Sequence, residues 1–259
     1  MRHAFALVLS LSLLMSACGP RGLVRSELAG ARQEGPRKVL VVPADFVITE
    51  VTFGKTEERV VAAERQASRV LAGQIRTLAQ REAQRAAERK AEGKAGQDTA
   101  FTLLDFEALS EEEQDDVLQH RALFATMVGQ LLLVKEDAVD VWASKARYFD
   151  YTLGTGLKEL AQTHGADTAI FIVGKDKVRS TSRKVLDTLA SVLPIGESLS
   201  SQPAAVALGV VDLHTGHVLM FDSEMVKRKA LTDDDDVRAM GEAVLTDFRR
   251  ALAARASRR

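Results

Sequence analysis

The 259 residues carry 35 Lys and Arg against 36 Asp and Glu, a formal net charge of −1. That balance excludes the basic footprint of a nucleic-acid binder and a field strong enough to hold anionic lipid. With 46% hydrophobic and 27% charged residues, the chain builds a core and is not disordered.

Met1 to Cys18 reads MRHAFALVLSLSLLMSAC and holds the only cysteine. Arg2 and His3 form a short basic start, Ala4 to Met15 an apolar run, and Ser16-Ala17 the small residues a signal peptidase needs. As a helix the apolar run rises about 18 Å, short of a roughly 30 Å hydrocarbon core, so a secretory signal fits better than a membrane span. Met15-Ser16-Ala17-Cys18 resembles a bacterial lipobox, with methionine where leucine is more usual. The resemblance implies cleavage before Cys18 and acylation of that cysteine, typically with three chains. The competing reading is an ordinary signal peptide with an incidental or buried cysteine. Lipidation explains the two small residues before Cys18, and it removes a lone thiol that would be a liability in an oxidising compartment. Gly19 stands where aspartate would resemble an inner-membrane retention signal, which points to the outer membrane, periplasmic face.

Residues 18–37, rich in Gly, Pro and charge without a sustained period, read as a tether reaching roughly 25 Å. Lys38 to Pro43 reads as a short buried strand, and Phe46 to Val51 as a second one before Gly54 turns the chain. Glu57 to Lys90 reads as a helix with Val60, Ala63, Ala67, Val70, Leu71, Ile75 and Leu78 on one face, decaying into alanine and charge. That thin end is a solvated helix terminus or an arm that meets another subunit. Phe101 to Leu104 reads as a strand. Ser110 and Glu113 match a capping box opening a helix that buries Val117, Leu123, Phe124, Met127, Val128 and Leu131. Leu131 to Val134 is expected to leave that helix as extended chain.

A helix over Gly156 to Thr163 stops at Gly165, and Thr168 to Val173 is the clearest internal strand. Ser182 to Leu193 reads as an amphipathic helix ended by Pro194. Ala204 to Leu213 and His217 to Phe221, joined by His214-Thr215-Gly216, read as a β-hairpin. Thr232 and Asp233 to Asp236 cap a last helix through Val237, Met240, Val244, Phe248 and Leu252. This order predicts an α/β fold, a single three-layer-like domain with a mixed sheet, long helices and a hairpin in the C-terminal half. The expected organisation is a signal peptide over 1–17, the tether over 18–37 and an α/β periplasmic domain over 38–259.

Three short segments carry a further resemblance: Phe149-Asp150-Tyr151-Thr152-Leu153-Gly154, Gly165-Ala166-Asp167, and Asp212 with Thr215 and Gly216. On these the chain is similar to a family of proteobacterial lipoproteins. More distantly, it looks like the domain shared by curli-type secretion lipoproteins, the amino-terminal domain of the Tol-system propeller protein and lipoprotein activators of peptidoglycan synthases. The curli likeness would imply a pore built from membrane hairpins. The candidate insert here, Ser182 to Ser201, is helix-like and broken by Pro194, which does not suit alternating membrane strands.

The search for chemistry assigns no catalytic, cofactor-binding or metal-ligating residue; Cys18 is the one assigned site, for lipidation. His214 and His217 flank a turn without a third zinc ligand nearby in sequence. His120 and His164 read as helix-surface positions. Gly154-Thr155-Gly156 lacks the rest of a dinucleotide or P-loop fingerprint. Neither a Gly-x-Ser-x-Gly elbow nor a His-Glu-x-x-His motif is present. Asp150 reads as a structural organiser ahead of a base. Glu111 to Asp116 and Asp233 to Asp236 suit the positive ends of helices better than metal sites. The expected function is an outer-membrane-anchored, non-enzymatic binding or assembly factor. Its expected partners are the membrane through Cys18 and an envelope protein, with no nucleic acid and with homo-oligomerisation open. The alternatives are a subunit of an oligomeric secretion or envelope complex, and a hydrolase whose cleft would gather Asp150, a histidine and Ser or Thr.

Overall fold

The computed structural model describes residues 23–24, 37–52, 56–93, 99–135, 149–179, 203–227 and 229–256. Cys18, most of the tether and the Ser182–Leu193 segment lie outside the described residues.

In chain order come β1 (Leu23–Val24), β2 (Arg37–Val41), β3 (Asp45–Val51), β4 (Glu57–Arg59) and α1 (Val61–Ala91). Next are β5 (Thr99–Leu103), α2 (Glu111–Lys135), a 3₁₀ turn (Thr155–Leu157) running into α3 (Lys158–His164), and β6 (Thr168–Arg179). The hairpin β7 (Ala204–Asp212) and β8 (Val218–Val226) precedes α4 (Asp234–Ala256). The expected mixed α/β architecture is what forms. One eight-stranded sheet runs β1-β8-β7-β6-β2-β5, with β3 and β4 off that path.

The centre is β6, where Thr168, Ala169, Ile170, Phe171 and Ile172 are all buried. An unbroken apolar run suits a strand covered on both faces. Two parallel partners share one side of it: Val39–Val41 lie opposite Thr168–Ile170, and Asp45–Val51 opposite Val173–Arg179. Between those partners stands Pro43, which has no amide hydrogen for a ladder. On the other side, β7 runs antiparallel. Leu23 and Val24, read in sequence as tether, pair with Phe221 and Met220 at the sheet's edge.

Period-two alternation sorts the core into two layers. Leu40, Val42, Ala169 and Phe171 pack with Val117, Phe124 and Leu131 of α2 and with Leu157 and Leu160 beside and within α3. Val39, Val41, Ile170 and Ile172 pack on the opposite face with Leu71 and Ile75 of α1 and with Met240, Val244 and Phe248 of α4. The three-layer expectation therefore holds. Gly209 lets α2 approach closely: a Cβ there would meet the Phe124 ring at 2.2 Å.

Three further details of the strands and helices differ from the sequence reading. Glu57–Arg59 forms a short strand antiparallel to β3, and α1 starts only at Val61. Leu131 to Val134 stays helical, as α2 continues to Lys135. Leu123 is 52% exposed, because the buried stripe passes through its neighbour Phe124.

The α1 start is pinned by Glu64, a buried carboxylate that accepts the Ile48 amide at 3.0 Å and Arg59 Nε and Nη2 at 2.9 and 2.7 Å. Burial opposes its ionisation, but the Arg59 hydrogen bonds, the Ile48 amide and the Arg59 charge outweigh it and hold the carboxyl below its usual range. A depressed folded-state value means the stability it contributes is present above the ordinary carboxylate range and lost as pH falls through the folded value. Glu64→Ala is therefore expected to cost about 2–3 kcal/mol at neutral pH, since it also strands the Ile48 amide. Urea unfolding of wild type and variant should show the gap narrowing on acidification; a gap of constant size from pH 7 to pH 4 would contradict this account.

Candidate functional site

The three motif segments meet at one end of the sheet and bond chiefly to backbone. Asp212 Oδ1 accepts the His214 and Thr215 amides at 2.9 and 2.8 Å and the Thr215 hydroxyl at 3.0 Å, which shapes the β7–β8 turn. The segment before α3 lies across that turn: the Leu153 amide donates to Gly216 O at 2.8 Å and the Val218 amide to Tyr151 O at 2.9 Å. Asp167 ties in the start of β2, its amide donating to Lys38 O at 2.9 Å while its carboxylate accepts the Lys38 amide at 3.1 Å. Gly165 takes the left-handed conformation that ends α3. These residues form a clasp holding 149–154 and α3 against the sheet.

The remaining candidates do not converge. His214 is exposed, 3.9 Å from Asp167, and among the described residues no three His, Cys, Asp or Glu side chains group as metal ligands. Asp150 is exposed. Asp233 Oδ1 accepts the Asp235 and Asp236 amides, the role of a helix cap.

A groove of about 300 Å³ opens between the first turns of α2 and the 155–164 segment. The capping box forms one wall as expected: Ser110 donates its amide to Glu113 Oε2 at 3.0 Å and its hydroxyl at 2.9 Å. Those bonds, with His164 nearby, hold the Glu113 carboxyl below the usual range. Glu112, Asp116 and Glu159 also line the groove, and none has an ion-pair partner among the described residues.

His120 corrects the sequence reading. It is only 7% exposed and lies against the groove, not on the helix surface. Its Nδ1 lies 2.7 Å from Asp116 O, a carbonyl that can only accept, so Nδ1 carries the proton. In the neutral ring, Nε2 then presents a lone pair. No hydrogen bond reaches Nε2 from any described residue, and this edge of the ring faces Gly156: a methyl there would stand 3.1 Å from Nε2. Gly156 thus keeps that side of the groove open.

No family model and no curated protein matches the chain. Among solved structures it is similar to a point variant of the PelC dodecamer from Paraburkholderia phytofirmans, at 11% identity and a TM-score of 0.30, over 82% of this chain and 88% of that one. A second PelC dodecamer from the same organism gives 12% identity and a TM-score of 0.27, over 83% and 94%. The LpoB C-terminal domain from Salmonella enterica gives 14% and 0.22, over 78% and 90%. Scores this low leave function to be argued from the chain's own residues.

Chemically, the groove offers acceptors: carboxylates from two elements and an imidazole lone pair. The donor on Ser110 is turned onto Glu113. Asp150 is not among the lining residues, and His120 contacts no hydroxyl within hydrogen-bond reach among the described residues. A group rich in N–H and carrying positive charge is what such walls complement.

Proposed function

We propose that the chain is a lipoprotein fastened through Cys18 to the periplasmic face of the outer membrane, acting as a non-enzymatic binding factor. Its α/β domain takes a basic side chain of an envelope protein into the groove between α2 and α3. The observation that supports this reading most is Nε2 of buried His120, to which no described residue hydrogen-bonds, beside Glu112, Asp116 and Glu159, which have no ion-pair partner among the described residues. Nε2 opens to the groove, so an N–H entering there meets its lone pair directly. An arginine or lysine supplies the donor and the charge together.

The test is titration of the protein with an acetylated tetra-arginine peptide at low salt, with tetra-glutamate as control. Wild type is expected to bind the basic peptide, and Glu112→Gln with Asp116→Asn to weaken it at least about tenfold, since two charge-assisted contacts are lost. His120→Ala should weaken it less, because it removes one neutral acceptor. Equal binding by the carboxylate variant and wild type would defeat the proposal, as would indifference to the sign of the peptide.

A further inference from the structure

The sheet's other face carries charge of opposite sign that nothing among the described residues answers. Arg65, Arg69 and Arg76 lie on α1 at positions i, i+4 and i+11, one row on the helix surface. All three are exposed, and no hydrogen bond or ion pair reaches them from any described residue. Like charges four apart repel, so the row weakens its own helix unless an anion from outside covers it. The helix that carries it packs on the face opposite α2 and α3.

Resting on the groove reading above, we infer that the basic side chains entering the groove come from the arginine row of a second copy of this chain. Charge complementarity names the occupant. Arg65 and Arg69 stand one helical turn apart, about 6 Å along the axis, and Glu112 and Asp116 of α2 stand the same distance apart. Two guanidinium groups therefore meet two carboxylates in register, with His120 Nε2 behind them as a further acceptor. Because row and groove lie on opposite faces, the contact is head-to-tail. Each copy has one groove filled and one row free, and repetition gives a ring where the rotation closes and a filament where it does not. A net charge of −1 assembled from segregated patches does not oppose such stacking.

The experiment uses the chain from residue 18 with Cys18→Ser, which removes the anchor. Sedimentation velocity is run from about 10 to 500 μM at 50 and 500 mM salt, the span over which screening of exposed charge changes strongly. The expected result is concentration-dependent assembly, weakened at least about tenfold at the higher salt. Arg65→Glu with Arg69→Glu, and separately Glu112→Lys with Asp116→Lys, should each give monomers. Mixing the two variants should restore assembly, because each supplies what the other lacks. The neutral pair Glu112→Gln and Asp116→Asn guards against a groove variant that fails to fold. A wild type that stays monomeric throughout overturns the inference, as does a mixture that fails to reassemble. A row reversal that abolishes binding to phosphatidylglycerol vesicles while leaving assembly unchanged also overturns it and gives the row to lipid. Tetra-arginine binding in the same samples separates the two readings: a monomer that still binds the peptide keeps the groove's function and loses only the partner.

Discussion

Cys18→Ser is expected to shift the protein from the membrane fraction to the soluble fraction by at least about a hundredfold, with the α/β domain unaffected. A single acyl chain holds a protein only marginally, and each buried CH₂ adds about 0.8 kcal/mol, so several chains make release negligible while none leaves almost nothing. Little else in the described chain would substitute. No helix among the described residues is long and apolar enough to cross a membrane, and a net charge of −1 gives no general attraction to anionic lipid. Serine matches the small size of cysteine but lacks the sulfur on which thioether acylation depends. Fractionation after a high-salt wash, with mass spectrometry of the mature terminus, checks both halves. Persistence of the serine variant in the pellet, or a free thiol at position 18 in wild type, would remove the anchor. The groove assay is independent of this outcome, because its residues lie on α2 and on the 155–164 segment.

The sequence made legible those elements whose chemistry is local. Ser110 and Glu113 announce their own capping box three residues apart, and the bonds between them form. The β7–β8 turn is written in Asp212, Thr215 and Gly216, and β6 in a β-branched run that no helix would favour. What stayed hidden depends on partners distant in the chain. Glu57–Arg59 becomes strand only because β3 offers it three residues of pairing; Glu-Glu-Arg has no alternation to betray it. In α2 the apolar residues surround the helix, so periodicity could not choose between Leu123 and Phe124. The ring-sized gap left by Gly209, 85 residues onward, makes that choice. His120 stands between Gln119 and Arg121, and nothing local marks it as buried. It lies against the 3₁₀ turn at Gly156, which the clasp brings in from 36 residues away. The groove is legible only after both elements are placed.

Gly216→Ala is expected to be the most damaging single methyl in the described chain, costing at least about 3–5 kcal/mol against a typical total of 5–15. The residue has φ 71°, and its Cβ would fall 1.7 Å from Gly154 O, a backbone atom with no rotamer to change. Leaving the left-handed region is blocked as well, since Gly216 donates its amide to Asp212 O at 2.8 Å and accepts the Leu153 amide at 2.8 Å. The left-handed penalty alone is about 1–2 kcal/mol. The clash adds to it by prising 151–154 from the hairpin, at the cost of the Leu153 and Val218 hydrogen bonds and the Thr152–His217 bridge. Gly154→Ala makes the informative comparison. That residue also has a positive φ, 85°, but nothing lies within 4 Å of its Cβ, so it should lose only about 1–3 kcal/mol of backbone strain. Gly73→Ala, in open space on α1, should gain about 0.5–1 kcal/mol. Urea midpoints for the three variants test the order, and equal losses at Gly216 and Gly154 would refute the close approach as its cause. Because the clasp holds α3 opposite α2, Gly216→Ala should also weaken tetra-arginine binding while altering none of the groove's own side chains.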